Sequence, residues 1–284
     1  MYVYIFKQLR PKYGEMSDYV VKNRYNRRLC IKIENLISLL LFYYQMSSER
    51  ELKFFMARVA DQAERYTDVV KAINEIIALD PKLSPDERNL LSVAYKALTG
   101  SRRSALRTVS AFLDDESVKA INERVEKLTE LKNKLVKELD DYCQELITLT
   151  DTKLLPAADD AITKVFYQKL KADYYRYSVE FKPEEERKDG ANKAKEAYQA
   201  AMNIATSELT KANPAYLGLA LNYSVFLYEI IGQKQEAIDL ADKSFKEAVD
   251  LLDELVEDEY SEATLILQLL KDNVTLWTEE QGQE

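Results

Sequence analysis

Residues 84–115 read S-P-D-E-R-N-L-L-S-V-A-Y-K-A-L-T-G-S-R-R-S-A-L-R-T-V-S-A-F-L-D-D. Ser84 is followed by Pro85 and, three residues on, by Glu87, which is the pattern of an N-cap, a proline at the first helical position and a capping-box glutamate. Apolar side chains then recur every three or four residues, as one buried helix face requires. The apolar positions are Leu90, Ala94, Ala97, Leu98, Ala105, Val109 and Phe112. The stretch predicts one long helix that ends near Asp115.

Outside this stretch, the chain contains few residues that break helices. The 284 residues include six glycines and six prolines, too few for the many turns of an all-β protein or the glycine-rich loop of a dinucleotide-binding fold. The breakers and the apolar spacing predict nine helices joined by short loops. They span about 48–63, 66–79, 85–115, 118–154, 159–181, 188–209, 214–232, 234–254 and 259–278. We therefore predict a single all-α domain, built from antiparallel helix pairs.

The composition argues against catalysis. The sequence has no histidine, which excludes Ser-His-Asp and Cys-His nucleophiles, H-E-x-x-H zinc sites and the Glu-x-x-His ligands of di-iron bundles. Cys30 and Cys143 are too far apart for a disulfide scaffold or a thiolate metal site, and they are typical of reduced thiols. We predict that the protein is not an enzyme and needs no cofactor.

The charge distribution bears on partners. The net charge is −9, of which residues 1–45 carry +5 and residues 46–284 carry −14. An acidic body does not favour nucleic acid, whose backbone needs a basic footprint. The most apolar run, 36–44, is shorter than the roughly 20 residues of a spanning helix, so no stable membrane insertion is expected. We expect a cytoplasmic protein, with the nucleus as a second compartment.

Two helices carry cations that could converge. Lys96 and Arg103 are seven residues apart and share a face of the 85–115 helix, and Lys169, Asp173 and Arg176 share a face of the 159–181 helix. Tyr177 lies beside them. If the two faces met, the cations would repel one another unless a dianion joined them, and a phosphate monoester suits paired arginine forks. The alternative is a solvated basic edge, and spacing alone does not decide between them.

Two later helices could form the wall of a groove. In 214–232, Asn222 lies among apolar side chains, and the last helix repeats this pattern with Ile266, Leu269 and Asn273. An amide among apolar residues needs a partner. The partner could be the backbone of an extended peptide, or each asparagine could be purely structural.

Five stretches in these regions resemble the 14-3-3 family. They are R-N-L-L-S-V-A-Y-K (88–96), G-S-R-R-S-A-L-R (100–107), D-Y-Y-R-Y (173–177), L-G-L-A-L-N-Y-S-V-F-L-Y-E-I (217–230) and T-L-I-L-Q-L-L-K-D-N-V-T-L-W (264–277). The resemblance runs in order from about residue 50 to 278. It implies nine antiparallel helices that form a cup-shaped protomer with an amphipathic groove, which dimerises through its N-terminal helices. It also implies an adaptor that binds phosphoserine or phosphothreonine segments of client proteins and masks, clamps or bridges those clients.

The resemblance also assigns residues. The phosphate pocket it implies is Lys96, Arg103, Arg176 and Tyr177. The peptide backbone and groove residues it implies are Lys169, Leu221, Asn222, Val225, Glu229, Leu265, Ile266, Leu269, Asn273 and Trp277. The dimer interface it implies pairs Arg65 with Glu138 and Asp68 with Lys134 across subunits, with apolar contacts from Val59 and Ala63. A homodimer is expected, and a heterodimer with other isoforms is compatible with the same residues.

Three positions depart from the family pattern near the dimer interface. Ala105 replaces a phosphorylatable serine, Leu106 replaces a tryptophan, and Leu131 replaces an aromatic residue. Phosphorylation of that serine would bring about two negative charges into an apolar interface. Because this chain has Ala105, we predict a constitutive dimer whose strength depends on Leu106 and Leu131.

The ends of the chain lie outside the resemblance. The domain is predicted to span 46–278, with a short acidic tail at 279–284. Our leading interpretation of residues 1–45 is a gene-model extension, because Met46 resembles a natural start. The alternative is a basic arm, rich in aromatic residues, that contacts acidic surfaces.

Two other functions remain open at this point. A helical scaffold could bind partners without phosphate, with its cations paired to its own carboxylates. An enzyme without histidine would need a carboxylate pair such as Asp173 and Glu180 for acid–base chemistry, and their spacing gives no support for it.

Overall fold

The computed structural model of the chain describes residues 49–282, and within them every regular element is a helix. The predicted all-α class is thereby confirmed. The chain divides between Met56 and Ala57 into two units, and every site residue discussed below lies in the second unit. The boundary predicted between residues 45 and 46 lies outside the described residues.

Ten α-helices follow one another in the described residues. They are α1 (49–62), α2 (Tyr66–Leu79), α3 (Pro85–Asp114), α4 (Glu116–Lys119), α5 (Asn122–Leu149), α6 (Ala161–Val179), α7 (Glu184–Glu208), α8 (Pro214–Phe226), α9 (Lys234–Val249) and α10 (Glu257–Gln281). α5 and α8 each continue into a π-helical turn, Thr150–Leu154 and Leu227–Ile231. Nine of the ten correspond to the predicted helices, and the four-residue α4 is the addition.

Side-chain caps fix where the principal helices begin. At Ser84 the predicted capping box forms, because its hydroxyl accepts from the Glu87 N–H and its own N–H donates to the Glu87 carboxylate. Asp160 caps α6 by accepting from the Thr163 N–H at 2.8 Å. Asn213 caps α8 ahead of Pro214, and Gly232, at φ +74°, ends the π-helical turn after it. These caps set the register of the helices that carry the site.

The structure differs from the sequence prediction between residues 115 and 122. A single helix was expected from 118 to 154, but α4 ends at Lys119 and α5 begins at Asn122. The Asp115 carboxylate accepts from the Ser117 N–H at 2.8 Å and starts α4 separately, while Ile121 adopts an extended conformation ahead of α5. The break has no glycine or proline, so the breaker pattern did not mark it.

The core beneath the site is formed by side chains from α6, α7, α8, α9 and α10. Its largest fully buried members include Tyr198 of α7 and Leu217, Leu219 and Phe226 of α8. Burying an aliphatic side chain of this size stabilises the fold by about 1.5–3 kcal/mol. α7 faces this core with a row of alanines and carries Gly190 near its start. A Cβ at Gly190 would lie 2.4 Å from Val179 Cγ1, so glycine allows α7 to approach the end of α6 closely.

α10 extends beyond its predicted end at residue 278. It continues to Gln281, so its last turn includes the first three residues of the segment that the sequence separated as a tail. The glutamates in this last turn remain exposed.

Candidate functional site

The cationic faces of α3 and α6 meet at Tyr177. The Arg103 guanidinium carbon lies 4.1 Å from the centre of the Tyr177 ring, and that of Arg176 lies 4.7 Å from it. An aromatic ring attracts cations at its face, so the ring stabilises the close approach of two guanidinium groups. The structure thus brings together three of the four predicted phosphate-binding residues, which sequence spacing alone could not establish.

Lys96 is the fourth predicted pocket residue. It lies two turns before Arg103 on α3 and is exposed, and it makes no ion pair with any residue in the range 49–282. Its ammonium group is therefore available to a ligand as far as the described residues are concerned.

Asp173 organises the α6 side of the cluster. Its carboxylate is fully buried and accepts hydrogen bonds from four side chains. The donors are Lys169 Nζ at 3.1 Å, Arg176 Nη2 at 3.3 Å, the Tyr198 hydroxyl at 2.5 Å and Asn222 Nδ2 at 2.9 Å. Burial alone would raise the pKa of the Asp173 carboxyl, but Lys169, Arg176 and the other donors hold it below its ordinary value. Asp173 therefore remains a carboxylate at neutral pH.

Arg176 is held in place from the protein side. Its Nε donates to the Tyr198 hydroxyl at 3.3 Å, and its Nη2 reaches Asp173 and, at 3.5 Å, the Tyr177 hydroxyl. Within the described part of the chain, its Nη1 makes no hydrogen bond, although the residue is only 9% exposed. The guanidinium group is thus fixed along one edge and keeps one nitrogen for a ligand.

Glu180 holds Arg103 of α3 in place, as Asp173 holds Arg176 of α6. It caps the end of α6, and its carboxylate accepts from Arg103 Nε at 2.5 Å and from Arg107 Nη2 at 2.7 Å. Burial tends to raise the pKa of Glu180, but the two arginines hold it below its ordinary value. The two Nη nitrogens of Arg103 make no hydrogen bond to residues 49–282. Each site arginine therefore pairs with a carboxylate on one side and keeps donors on the other.

Sequence reasoning did not predict Glu180 or Tyr198 as parts of the site. Glu180 is 77 positions from Arg103 in the chain, so no local spacing connects them. A signal was present, however, because Glu180 lies seven residues after Asp173 and continues the charged face of α6. Tyr198 lies on α7, among alanines, and carried no comparable signal.

The predicted apolar wall lies on α8 and α10. Leu221, Val225 and Ile266 are half-buried and pack against the core, while Leu265 and Leu269 are 66% and 45% exposed. A Cβ at Gly218 would lie 3.9 Å from Ile266 Cδ1, which shows that the two helices face each other there. The exposed side chains of Leu265 and Leu269 add apolar surface that an extended ligand could contact.

The remaining predicted groove residues differ in their surroundings. Asn222 donates to both oxygens of Asp173 and so connects the α8 wall to the cationic cluster. Asn273 is half-buried on α10 and makes no side-chain hydrogen bond within 49–282. Glu229 is exposed on the π-helical turn. Trp277 is 5% exposed and stacks on Tyr228, with the ring centres 4.5 Å apart.

Comparison with known proteins shows the family of the chain. A sequence profile for a family described as "14-3-3 protein" matches residues 56–278. The chain belongs to the 14-3-3 family. It is 45% identical over 232 residues to the checkpoint signal transducer rad24 of Schizosaccharomyces pombe, covering 82% of this chain and 86% of that protein. It is 43% identical to the 14-3-3-like protein GF14 iota of Arabidopsis thaliana, covering 81% of this chain and 86% of that protein. 14-3-3 proteins are adaptors that bind client proteins.

The residues predicted for a 14-3-3 dimer interface lie on the surface of this protomer. Val59 is 45% exposed, and Ala63 and Lys134 are exposed. Within the protomer, Arg65 pairs with Asp68, and Glu138 accepts from Arg102 Nε at 3.2 Å. The cross-subunit pairs of Arg65 with Glu138 and of Asp68 with Lys134 stay predictions, and within the protomer Arg65, Asp68 and Glu138 already have other partners.

The three positions that depart from the 14-3-3 pattern differ in how far they are buried. Ala105 is half-buried, Leu106 is fully buried within the protomer, and Leu131 is 43% exposed on α5. Leu106 therefore belongs to the protomer core, so the dimer contact expected of it is not available, while Leu131 is an exposed aliphatic side chain on α5.

Among residues 49–282, no helix combines the length and the apolar character needed to cross a membrane. Nor do these residues place three potential metal-ligating His, Cys, Asp or Glu side chains together.

Proposed function

We propose that this 14-3-3 chain binds phosphoserine or phosphothreonine segments of client proteins in the groove between α3, α6, α8 and α10. The observation that supports this most directly is the pair of arginines at Tyr177. Arg103 and Arg176 are each held by a carboxylate and retain N–H donors that no residue in the described range uses. A phosphate monoester has the charge and the oxygens to accept from both arginines, with Lys96 and the Tyr177 hydroxyl as further donors.

The groove supplies the rest of the recognition. Asn222 and Asn273 would hold the backbone of an extended client, as amide side chains both donate and accept. The apolar wall would contact flanking side chains, with Lys169, Glu229 and Trp277 at its margins. Because the arginines are already ordered, little conformational entropy is lost on binding. Masking, clamping or bridging of clients would follow from occupancy of the groove.

The test is fluorescence anisotropy with an Arg-Ser-x-pSer-x-Pro peptide and its unphosphorylated twin on the full-length protein. We expect binding of the phosphorylated peptide only, abolished by Arg103→Ala. Arg102→Ala is a matched control, because Arg102 lies on the same helix but donates to Glu138 of α5. Equal binding of both peptides, or no binding by folded protein, would contradict the proposal.

A phosphate-independent scaffold is the second candidate. One observation favours it: Arg103, Arg107 and Arg176 are already paired with Glu180 and Asp173, as a purely structural cluster would be. Arg103→Glu separates the two functions. A phosphate-dependent adaptor loses nearly all client binding with this variant, and a scaffold retains it. Client capture from a phosphatase-treated and an untreated extract gives the same separation.

We further propose that the protein acts as a constitutive dimer in the cytoplasm, with the nucleus as a second compartment. Two grooves in one dimer would bind a doubly phosphorylated client with avidity. Ala105 removes the serine at which phosphorylation would oppose association. Ala105→Glu, which inserts a charge there, is expected to shift the protein toward monomer in sedimentation velocity, while wild type remains dimeric. A wild-type monomer at micromolar concentration would contradict this part.

A further inference from the structure

Glu180 occupies a position that a ligand's own carboxylate would need. Its two oxygens bridge Arg103 and Arg107, two residues one helical turn apart on α3. Its side chain is 19% exposed, and that of Arg103 is 20% exposed. The bridge therefore lies at the mouth of the cationic cluster, and Glu180 presents a carboxylate to the two arginines in advance of any client.

A client aspartate or glutamate gains little at such a site. To form the same bridge between Arg103 Nε and Arg107 Nη2 it would have to displace Glu180, exchanging one carboxylate for another of the same charge. The displaced Glu180 would then stay half-buried without its partners, which is costly for a charged group. The exchange therefore yields no net gain in charge pairing.

A phosphate monoester does not depend on this exchange. It can accept from the Nη nitrogens of Arg103 and from Nη1 of Arg176, which make no hydrogen bond within residues 49–282, while Glu180 stays on Arg103 Nε and Asp173 on Arg176 Nη2. It carries about two negative charges at neutral pH, against one for a carboxylate. The second charge and the third oxygen of the phosphate strengthen its attraction to the unused N–H donors. This attraction offsets the repulsion from the nearby Glu180 carboxylate.

From this geometry we infer that Glu180 is a specificity-determining residue that makes the pocket reject carboxylates and accept phosphate monoesters. The inference rests on the proposed function of the same site. It predicts that removal of the Glu180 charge relaxes selectivity rather than abolishing binding, since Arg103 and Arg107 would become free to take a ligand carboxylate.

The experiment compares three peptides that differ only at the central residue, which is phosphoserine, glutamate or serine. Their Kd values are measured by fluorescence anisotropy near pH 7.5 on the full-length wild type, Glu180→Gln and Asp140→Asn. Asp140→Asn is the matched control: it also removes one negative charge, but Asp140 pairs with Lys182, at 3.0 Å, rather than with the site arginines. Circular dichroism melts confirm that each variant is folded.

In wild type we expect phosphoserine to bind far more tightly than glutamate. In Glu180→Gln the ratio of the two Kd values should fall at least about tenfold, chiefly because the glutamate peptide binds more tightly. In Asp140→Asn the ratio should change by less than about twofold. An unchanged ratio in Glu180→Gln, or an equal fall in Asp140→Asn, would overturn the inference.

Two further outcomes are also decisive. If Glu180→Gln does not fold, Glu180→Asp replaces it. The shorter side chain cannot bridge both arginines, so an intermediate fall in the ratio supports the inference and an unchanged ratio overturns it. If wild type binds the phosphoserine and serine peptides equally, the proposed function itself fails. If wild type selects phosphoserine and only the variant ratios fail to move, the role of Glu180 alone is wrong.

Discussion

The cationic cluster and the apolar wall are built in opposite ways, although both border the groove that we propose for the client. Arg176 is 9% exposed and fixed by hydrogen bonds to Asp173 and Tyr198, whereas Leu265 and Leu269 are 66% and 45% exposed. A charge taken out of water needs compensating partners, while an exposed leucine needs none. The cluster therefore contributes to the stability of the fold, whereas the leucines of the wall remain available to contact a ligand. Substitutions should separate the two regions.

The largest effect is expected for Arg176→Gln. Removing this cation leaves the buried Asp173 carboxylate without its closest guanidinium, which should lower the free energy of unfolding by about 3–5 kcal/mol. Arg103→Gln should cost less, about 1–2 kcal/mol, because the Glu180 carboxylate keeps its hydrogen bond from Arg107. Both variants should lose phosphopeptide binding. Urea denaturation alongside peptide titration checks this, and equal stability losses in the two variants would contradict the comparison.

The second effect concerns acid stability. Asp173 has a native pKa below its ordinary value of about 4, so the unfolded state takes up a proton first as the pH falls. The stability it contributes is present above about pH 4 and is lost as the pH decreases toward the native pKa. Asp173→Asn should be less stable at pH 7 and show a shallower decline below pH 4. Thermal melts across the acid range measure this, and parallel declines would contradict it.

The third effect separates two asparagines that the sequence treated alike. Asn222→Ala removes two hydrogen bonds to the Asp173 carboxylate and should cost about 1.5–3 kcal/mol of stability. Asn273→Ala should cost less than about 0.5 kcal/mol, because Asn273 makes no side-chain hydrogen bond within the described residues. Both should weaken phosphopeptide binding. Similar urea midpoints for the two variants would show that Asn222 does not support the cluster.

The smallest effect on stability is expected in the wall. Leu269→Ala should change the free energy of unfolding by less than about 0.5 kcal/mol, since nearly half of the side chain is exposed. It should nevertheless weaken phosphopeptide binding severalfold through lost apolar contact. Calorimetric titration gives the affinity. A stability loss as large as that of Asn222→Ala would mean that the wall is structural too.

Much of the fold was predictable because its signals are local. The Ser84 capping box acts within a few residues and was identified from the sequence, and Pro214 and Gly232 lie at the two bounds of the predicted 214–232 helix. The break before α5 was missed because Asp115 and Ile121 produce it without a glycine or proline. α7 begins at Glu184 rather than near 188, since Pro183 and three glutamates form a favourable first turn there.

The sequence named candidate site residues, but it could not give their arrangement. The resemblance named Arg103, Arg176 and Tyr177, but the meeting of α3 with α6 is a long-range event that no spacing encodes. For the same reason the sequence could not show that Glu180 bridges Arg103 and Arg107, or that Tyr198 of α7 donates to Asp173. Glu180 is 77 positions from Arg103 and Tyr198 is 25 positions from Asp173, so only packing brings these groups together.

The stack of Trp277 on Tyr228 gives the molecule an optical property of its own. The sequence contains one tryptophan, and its indole lies against the ring of a residue in the π-helical turn that follows α8. Indole emission depends on the groups that touch the ring. The tryptophan fluorescence of this protein therefore comes from a single place, the contact between α10 and the π-helical turn after α8. Any movement of one helix against the other should be visible in that emission without an attached label.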